Sequence, residues 1–316
     1  MGGPLRRLLG AMACAFVGCA QAQTPPPSAV LGDRIQHVVN GVLGLTGYSV
    51  VPDLTASSLS IDNGGNGNPQ ITLSQLAGGF TPSRKTPVYV EGGIAYSRYD
   101  PEFVFSNGQE QRTVPVKWIS VALTGGVGWD FPIAQDLYFR PIFNFSLGRV
   151  TSDLRLASLA IDYRRGTDLD FLDNGHLDSY GLGGSLMLDY EMVRPDQEID
   201  IELRYTNVEL RSHGGSTLGV VGHAKSESIS LWARMRVPTG WGVVWDRPVR
   251  YVYEAATTRY LGAETELGLK QMSSVGLGLE LDSSALDRWA TRWRAIARYK
   301  FGPGMHGTSL GLAISF

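Results

Sequence analysis

Along most of this 316-residue chain, apolar residues recur at every second position. In the stretch from Val116 to Phe131, Ile119, Val121, Leu123, Val127, Trp129 and Phe131 share one parity, and Ser120, Ala122, Thr124, Gly126, Gly128 and Asp130 share the other. The stretch DLYFRPIFNFSLGR follows with Leu137, Phe139, Phe143, Phe145 and Leu147 against Tyr138, Arg140, Asn144 and Ser146. A strand sends successive side chains to opposite faces, so these segments are strands with one apolar and one small or polar face. The rule continues in SYGLGGSLMLDYEM, IDIELRY, SISLWARMRV and WRAIARYKF, and reaches the last residues, GTSLGLAISF.

A soluble sandwich also alternates, but its apolar faces need a second apolar layer and do not collect aromatics at their ends. Here Tyr180 and Tyr190 bracket a leucine run, and Trp129 with Phe131 closes another segment. This is the pattern of a lipid-facing band with aromatic girdles and a polar interior. It predicts an all-β fold, a transmembrane antiparallel up-and-down β-barrel of about 12 strands, with a short N-terminal helix. The strands fall at residues 54–62, 69–78, 86–99, 114–130, 135–150, 177–193, 197–212, 222–237, 247–257, 274–282, 290–302 and 307–316. Long connections are expected outside, at 100–113, 151–176 and 258–273, and short periplasmic turns around Pro132 and Arg194-Pro195-Asp196. No run of eighteen apolar residues marks a transmembrane helix.

The first residues read as an export signal. Arg6 and Arg7 form a basic start, Leu8 to Ala20 is apolar, and Ala20-Gln21-Ala22 offers a small-x-small cleavage site, giving a signal peptide over 1–22. The rival reading is a lipoprotein signal acylated at Cys19. Both cysteines, Cys14 and Cys19, lie in this segment, so a mature chain cleaved after Ala22 carries no thiol chemistry. Without Arg6 and Arg7 the 28 basic residues become 26, against 30 acidic ones, which argues against nucleic acid as a partner. Residues 23–47 form a separate segment ahead of the barrel at 48–316. Within it Leu31, Ile35, Val38, Val39 and Val42 recur at helical spacing, with Ser28 as a cap and Gly44 or Gly47 as a stop. Such a helix lies against the periplasmic rim or plugs the lumen.

The phrases YSVVPDLTASSLSI (48–61), PVYVEGGIAYSRYDPEF (87–103), RYVYEAATTRYLG (250–262), SSVGLGLELD (273–282) and GTSLGLAISF (307–316) resemble the solitary outer-membrane autotransporter-like β-barrel family, over roughly residue 45 to the end. The resemblance implies a multi-pass protein of the Gram-negative outer membrane, in contact with its lipid and lipopolysaccharide. It also implies handling by periplasmic chaperones and the barrel-assembly machinery, for which Leu312, Ile314 and the terminal Phe316 would be the C-terminal signal. A monomer is expected. The chain departs from full autotransporters in the short stretch between Gln23 and the first strand, which leaves no room for a secreted passenger.

The lumen-facing parity carries both charges: Asp189, Glu191, Asp200 and Glu202 on the sixth and seventh strands, with Arg204 beside them, and Arg234, Arg236, Arg294 and Arg298 on later strands. Arg250, Arg292 and Lys300 belong with the bases. Two readings stand. Opposed charged walls across a narrow lumen would select polar solutes or ions; alternatively, salt bridges fill and stiffen a closed interior. His176 with Asp178, and His213 near Ser212 and Ser216, are the candidates for acid–base chemistry, but no nucleophile–base–orienter set is visible. Asp168, Asp170 and Asp173 lack the spacing and closing glutamate of a calcium loop. No cofactor, metal site or enzymatic activity is expected. The expected role is structural or that of a narrow passive pore; a surface-interaction protein working through its long loops is the alternative, and an outer-membrane hydrolase the third.

Overall fold

The computed structural model describes residues 40, 43, 56–61, 70–82, 85–100, 102–106, 111–115, 118–152, 176–213, 222–244, 247–282 and 292–315. Fifteen strands run in chain order: β1 Ala56–Ile61, β2 Gln70–Phe80, β3 Val88–Asp100, β4 Glu102–Ser106, β5 Gln111–Pro115, β6 Trp118–Trp129, β7 Phe131–Ala134, β8 Leu137–Ser152, β9 His176–Val193, β10 Glu198–Ser212, β11 His223–Val244, β12 Arg247–Tyr260, β13 Gln271–Asp282, β14 Arg292–Gly302 and β15 Met305–Ser315. β6 and β7 both pair with β8, and only Asp130 separates them, so they act as one strand. β4 and β5 pair only with each other, as a hairpin projecting beyond β3 and β6.

The remaining pairings form a closed antiparallel ring. Each strand pairs with its chain neighbour, β3 continues to β6, β6 to β8, and the ring shuts where Ala56 to Ile61 of β1 meet Leu310 to Met305 of β15. With β6 and β7 counted once and the β4–β5 hairpin set aside, twelve strands make the ring. Closure matters because an open edge would leave unpaired backbone groups, which hydrocarbon cannot satisfy. The last strand is thus held on both sides, by β14 and β1.

Connections sort by end. At one end, called the loop end, lie 62–69, 101–117, 153–175, 213–222, 261–270 and the tight turn at 303–304; at the opposite turn end lie 81–87, 135–136, 194–197, 245–246 and 283–291. The hairpin β4–β5 occupies most of the connection expected to be a plain loop at 100–113. Pro132 sits within β7, and the chain reverses instead at Gln135-Asp136, where Asp136 takes φ 59°. A proline is tolerated there because β7 pairs on one side only, through a bulge before Ala134. The segment expected at 274–282 starts earlier, at Gln271, and β11 runs on to Val244.

The outward faces are apolar on the ring strands whose side chains are described. Exposed side chains include Leu76, Ile94, Leu123, Val127, Phe143, Leu147, Leu182, Leu186, Leu203, Leu231, Leu277 and Leu312, all of one parity within their strands. Trp129, Phe131, Trp241 and Trp293 cluster toward the turn end, where Trp241 meets Tyr251 edge-on at 5.4 Å; Tyr96, Tyr299 and Phe301 stand toward the loop end. An exposed apolar belt of this extent between two aromatic rims is incompatible with water and suited to a bilayer. No helix among the described residues is long and apolar enough to cross a membrane; the crossing is made by strands.

Candidate functional site: the lumen and its loop-end mouth

The inward faces divide into two zones. Nearer the turn end they are ionic. Arg204 on β10 reaches across to Glu91 on β3 as a fork, Nη1 to Oε2 at 2.8 Å and Nη2 to Oε1 at 2.7 Å, and Nη2 also donates to Ser185. Asn144 donates to the same Glu91, at 2.6 Å. Arg140 on β8 bridges Asp130 and Asp189, with its guanidinium 4.0 Å over the Tyr89 ring. A second cluster is built on Glu198, Asp200, Glu254 and Glu280. Arg234 and Arg236 both reach Asp200, at 2.5 and 2.8 Å. Arg236, Arg250 and Arg292 converge on Glu198. Arg294 grips Glu280 through Nε and Nη2 at 2.9 and 2.8 Å, and Arg298 holds Glu254 at 2.5 Å.

Local register creates this order. The turn at 194–197 pairs Val193 with Glu198, and the β10–β11 register then sets Glu198 opposite Arg236 and Asp200 opposite Arg234. β12 brings Glu254 opposite Arg234 and Arg250 opposite Glu280; β14 brings Arg294 opposite Glu280 and Arg292 opposite Asp282. Acids and bases therefore alternate around the ring. Ions removed from water are stable only with such direct partners, because an isolated buried charge costs several kcal/mol.

Toward the loop end the inward face turns apolar. Trp118, Val150, Leu177, Val208, Leu210, Ala224, Tyr260, Met272 and Met305 are all buried there. Leu43 and the connection 261–270 lie against this face. Leu43, helical like Asn40, is wholly buried; a Cβ on Gly222 would lie 2.3 Å from Leu43 Cδ1 and 2.8 Å from Leu177 Cδ2, so only glycine allows this approach. Ser212 anchors that connection, its N–H donating to Gly222 O and its Oγ accepting from Gly222 N–H. The connection 261–270 contributes a short 3-10 helix, Ala263–Leu267, whose Glu264 is 1% exposed and accepts from Ser226 Oγ at 2.5 Å.

The residues singled out from sequence fall as follows. Asp189, Asp200, Arg204, Arg236 and Arg294 are buried inward; Arg234, Arg298 and Glu202 are half-buried on the same face; Glu191 is exposed at the turn-end mouth. They do not stand as opposed walls: each basic member has an acid in direct contact. Among their partners, Glu91 and Glu254 carried no local sequence signal, because Arg204 and Arg298 stand on strands that are not their chain neighbours, whereas Glu280 meets Arg294 across a single hairpin, as Asp130 meets Arg140. Asp178 is engaged by Arg149 through Nε and Nη2, at 2.6 and 2.9 Å, rather than standing ready beside His176. His213 lies 6.0 Å from the Tyr180 ring while its neighbour Ser212 binds Gly222. No group of three or more metal-ligating side chains occurs among the described residues. Leu312 is exposed outward on β15 and Ile314 lies on the same strand; Phe316, Ser216, Asp168, Asp170, Asp173, the export signal and most of the expected helix lie outside the described residues.

The chain is similar in structure to autotransporter translocator domains. Against the β-domain of the Bordetella autotransporter BrkA the identity is 13% and the TM-score 0.46, covering 83% of this chain and 98% of that one. The transport unit of AIDA-I from Escherichia coli gives 12% and 0.46, covering 88% and 99%. The translocator domain of NalP from Neisseria meningitidis gives 13% and 0.42, covering 92% and 97%. No protein-family model and no curated protein sequence matches the chain. Ring closure and the outward belt make it a transmembrane barrel of the outer-membrane type.

Proposed function

We propose that this protein is a narrow passive pore of the outer membrane, closed at rest and exported through a cleaved signal peptide. The carrying observation is the lumen itself: complementary ion pairs line the turn end, and Leu43 is packed against Gly222 and Leu177 at the loop end. In this reading the loop end faces outward. The N-terminal segment ending near Leu43 is the plug, seated by apolar contact, and the ionic rows behind it are the fixed lining that a polar solute meets once the plug moves. Inward arginines that are each already held by an acid suit weak ion preference rather than strong selectivity.

Planar-bilayer conductance tests this. The protein with residues 23–47 removed is expected to give steady channels, and the protein retaining them only rare openings. Silence in both forms would overturn the pore reading in favour of a filled, structural barrel. The surface-interaction reading is supported by one feature, the β4–β5 hairpin projecting at the loop end; deleting 102–115 would then abolish cell attachment and leave conductance untouched.

A further inference from the structure

The connection 261–270 carries a buried carboxyl that neither the ion-pair rows nor the aliphatic packing requires. β11 presents Ala224, Ser226 and Ser228 inward, all buried, and Lys225 outward. Glu264 reaches Ser226, so the helix Ala263–Leu267 lies on the lumen side of the wall, with Ala263 and Leu269 buried beside it. The backbone joins the same face: Leu261 N–H donates to Glu227 O at 2.7 Å, and Gly262 sits against Lys225 O and Glu227 N, where a Cβ would come within 2.6 Å. Glu264 Oε1 has a neutral hydroxyl as its partner, and Oε2 has no partner in hydrogen-bonding geometry. Every other fully buried acid described in the lumen has a guanidinium against it.

We infer that the connection 261–270 is a proton-dependent lid on the loop-end mouth, docked while Glu264 is protonated and released when it ionises. This rests on the closed-pore reading above. A carboxylic acid can donate to a lumen-side acceptor and tolerates low-dielectric surroundings; a carboxylate held only by neutral donors, with one oxygen unpaired and no cation against it, is disfavoured there. The titratable neighbours are few. On β11, Glu227 opposes ionisation by its charge, and Lys225 is held on the outer surface by that same Glu227 at 2.5 Å. Tyr260 on β12 and the exposed Lys270 flank the connection. Burial pushes the Glu264 carboxyl up from the ordinary 4.5 to about 7, against the downward pull of Ser226 and two backbone N–H groups.

The sign follows from the docked pKa being the higher one. Docking is fully favoured below about 4.5, weakens about tenfold per pH unit from there to about 7, and is level above, for a total loss of up to about 300-fold.

Hydrogen–deuterium exchange on the whole protein in detergent micelles, corrected for intrinsic rates, reads docking directly. Protection of the amides at 261–270, led by Leu261, is expected to fall between pH 5 and pH 8, and E264Q is expected to hold it constant. S226A, which removes the donor that favours the carboxylate, is expected to move the fall to higher pH. Equal protection at pH 5 and pH 8 in the native protein overturns the inference, as does the same fall in E264Q. Conductance of the protein lacking residues 23–47 over the same pH range separates the two claims: lid release that leaves this form silent overturns the pore reading and leaves the lid, whereas openings of this form at constant protection overturn the lid and leave the pore.

Discussion

Both ends of the lumen bury their inward side chains, and they are held in different ways. Toward the turn end the buried acids and bases are joined as hydrogen-bonded ion pairs, with buried apolar side chains such as Ile142, Met187 and Val252 between them, so direction and distance decide how the charges are held. Toward the loop end Leu43 and Leu177 close on Gly222 by shape and area, and Trp118 and Val150 are also buried there. Area-based attraction has no direction and falls off smoothly as surfaces slide. A fork from Arg204 to Glu91 cannot slide: losing one partner strands the other in a low-dielectric interior. The contrast teaches where such a barrel can move without losing its wall. The ionic end is part of the wall, and at the apolar end Leu43 and the connection 261–270 are pieces that rest on it.

Breaking one fork is therefore expected to give the largest effect. Arg204→Met leaves Glu91 with Asn144 and Tyr89 but no cation, and should cost about 3–5 kcal/mol of barrel stability by denaturant unfolding in micelles. Adding Glu91→Gln should restore most of that loss, since the penalty lies in the unpaired charge. A single substitution costing under about 1 kcal/mol would mean water reaches Glu91, and the ionic end would no longer be a dry wall.

How much of this was legible in the sequence depends on chain distance. The faces were legible, because alternation is a property of a strand taken alone: Arg294 and Arg298 face inward and Trp293 and Tyr299 outward, as parity demands. Ring closure was legible too, since β1 and β15 are the strands left over when all neighbours pair. Pairings inside the lumen were not. Glu91 and Arg204 stand 113 residues apart, and Arg292 and Glu198 stand 94 apart; only the summed registers of the intervening hairpins bring them together. Acids seemed to gather on two strands and bases on others because composition was read strand by strand, whereas neighbouring strands interleave them. The β4–β5 hairpin was hidden for another reason: Pro101 and the residues about Val116 break the period that joins it to β3 and β6. Glu264 gave no signal, sitting in a connection with no period to betray its burial.

The apolar end should respond more mildly, and locally. Leu43→Ala should weaken seating of the N-terminal segment by about 2–4 kcal/mol, with protease sensitivity of residues 23–47 rising accordingly and the barrel's own unfolding transition unmoved. A shift of that transition instead would make Leu43 part of the wall. Gly222→Ala attacks the same contact from the other side, overlapping Leu43 Cδ1, and should unseat the segment by about 1–3 kcal/mol. Combining the two should cost less than their sum, because the methyl added at position 222 would occupy space that Leu43→Ala vacates. Strict additivity would mean that the two residues act through separate contacts.

The smallest effect sharpens the comparison from outside the lumen. Arg149 and Asp178 form a fork as well aligned as that of Arg204 and Glu91, at 2.6 and 2.9 Å, yet the Arg149 side chain is 62% exposed. Geometry alone would rank the two forks together; burial separates them, since water replaces an exposed partner at little cost. Arg149→Ala should leave the unfolding transition and the conductance where they were. The same substitution removes the Arg149 fork from Asp178, so a gain of esterase activity toward acyl substrates would revive an acid–base role for Asp178 and His176 at that rim. Silence there, together with an unchanged transition, would leave burial as the variable that distinguishes the ionic wall from the charges around it.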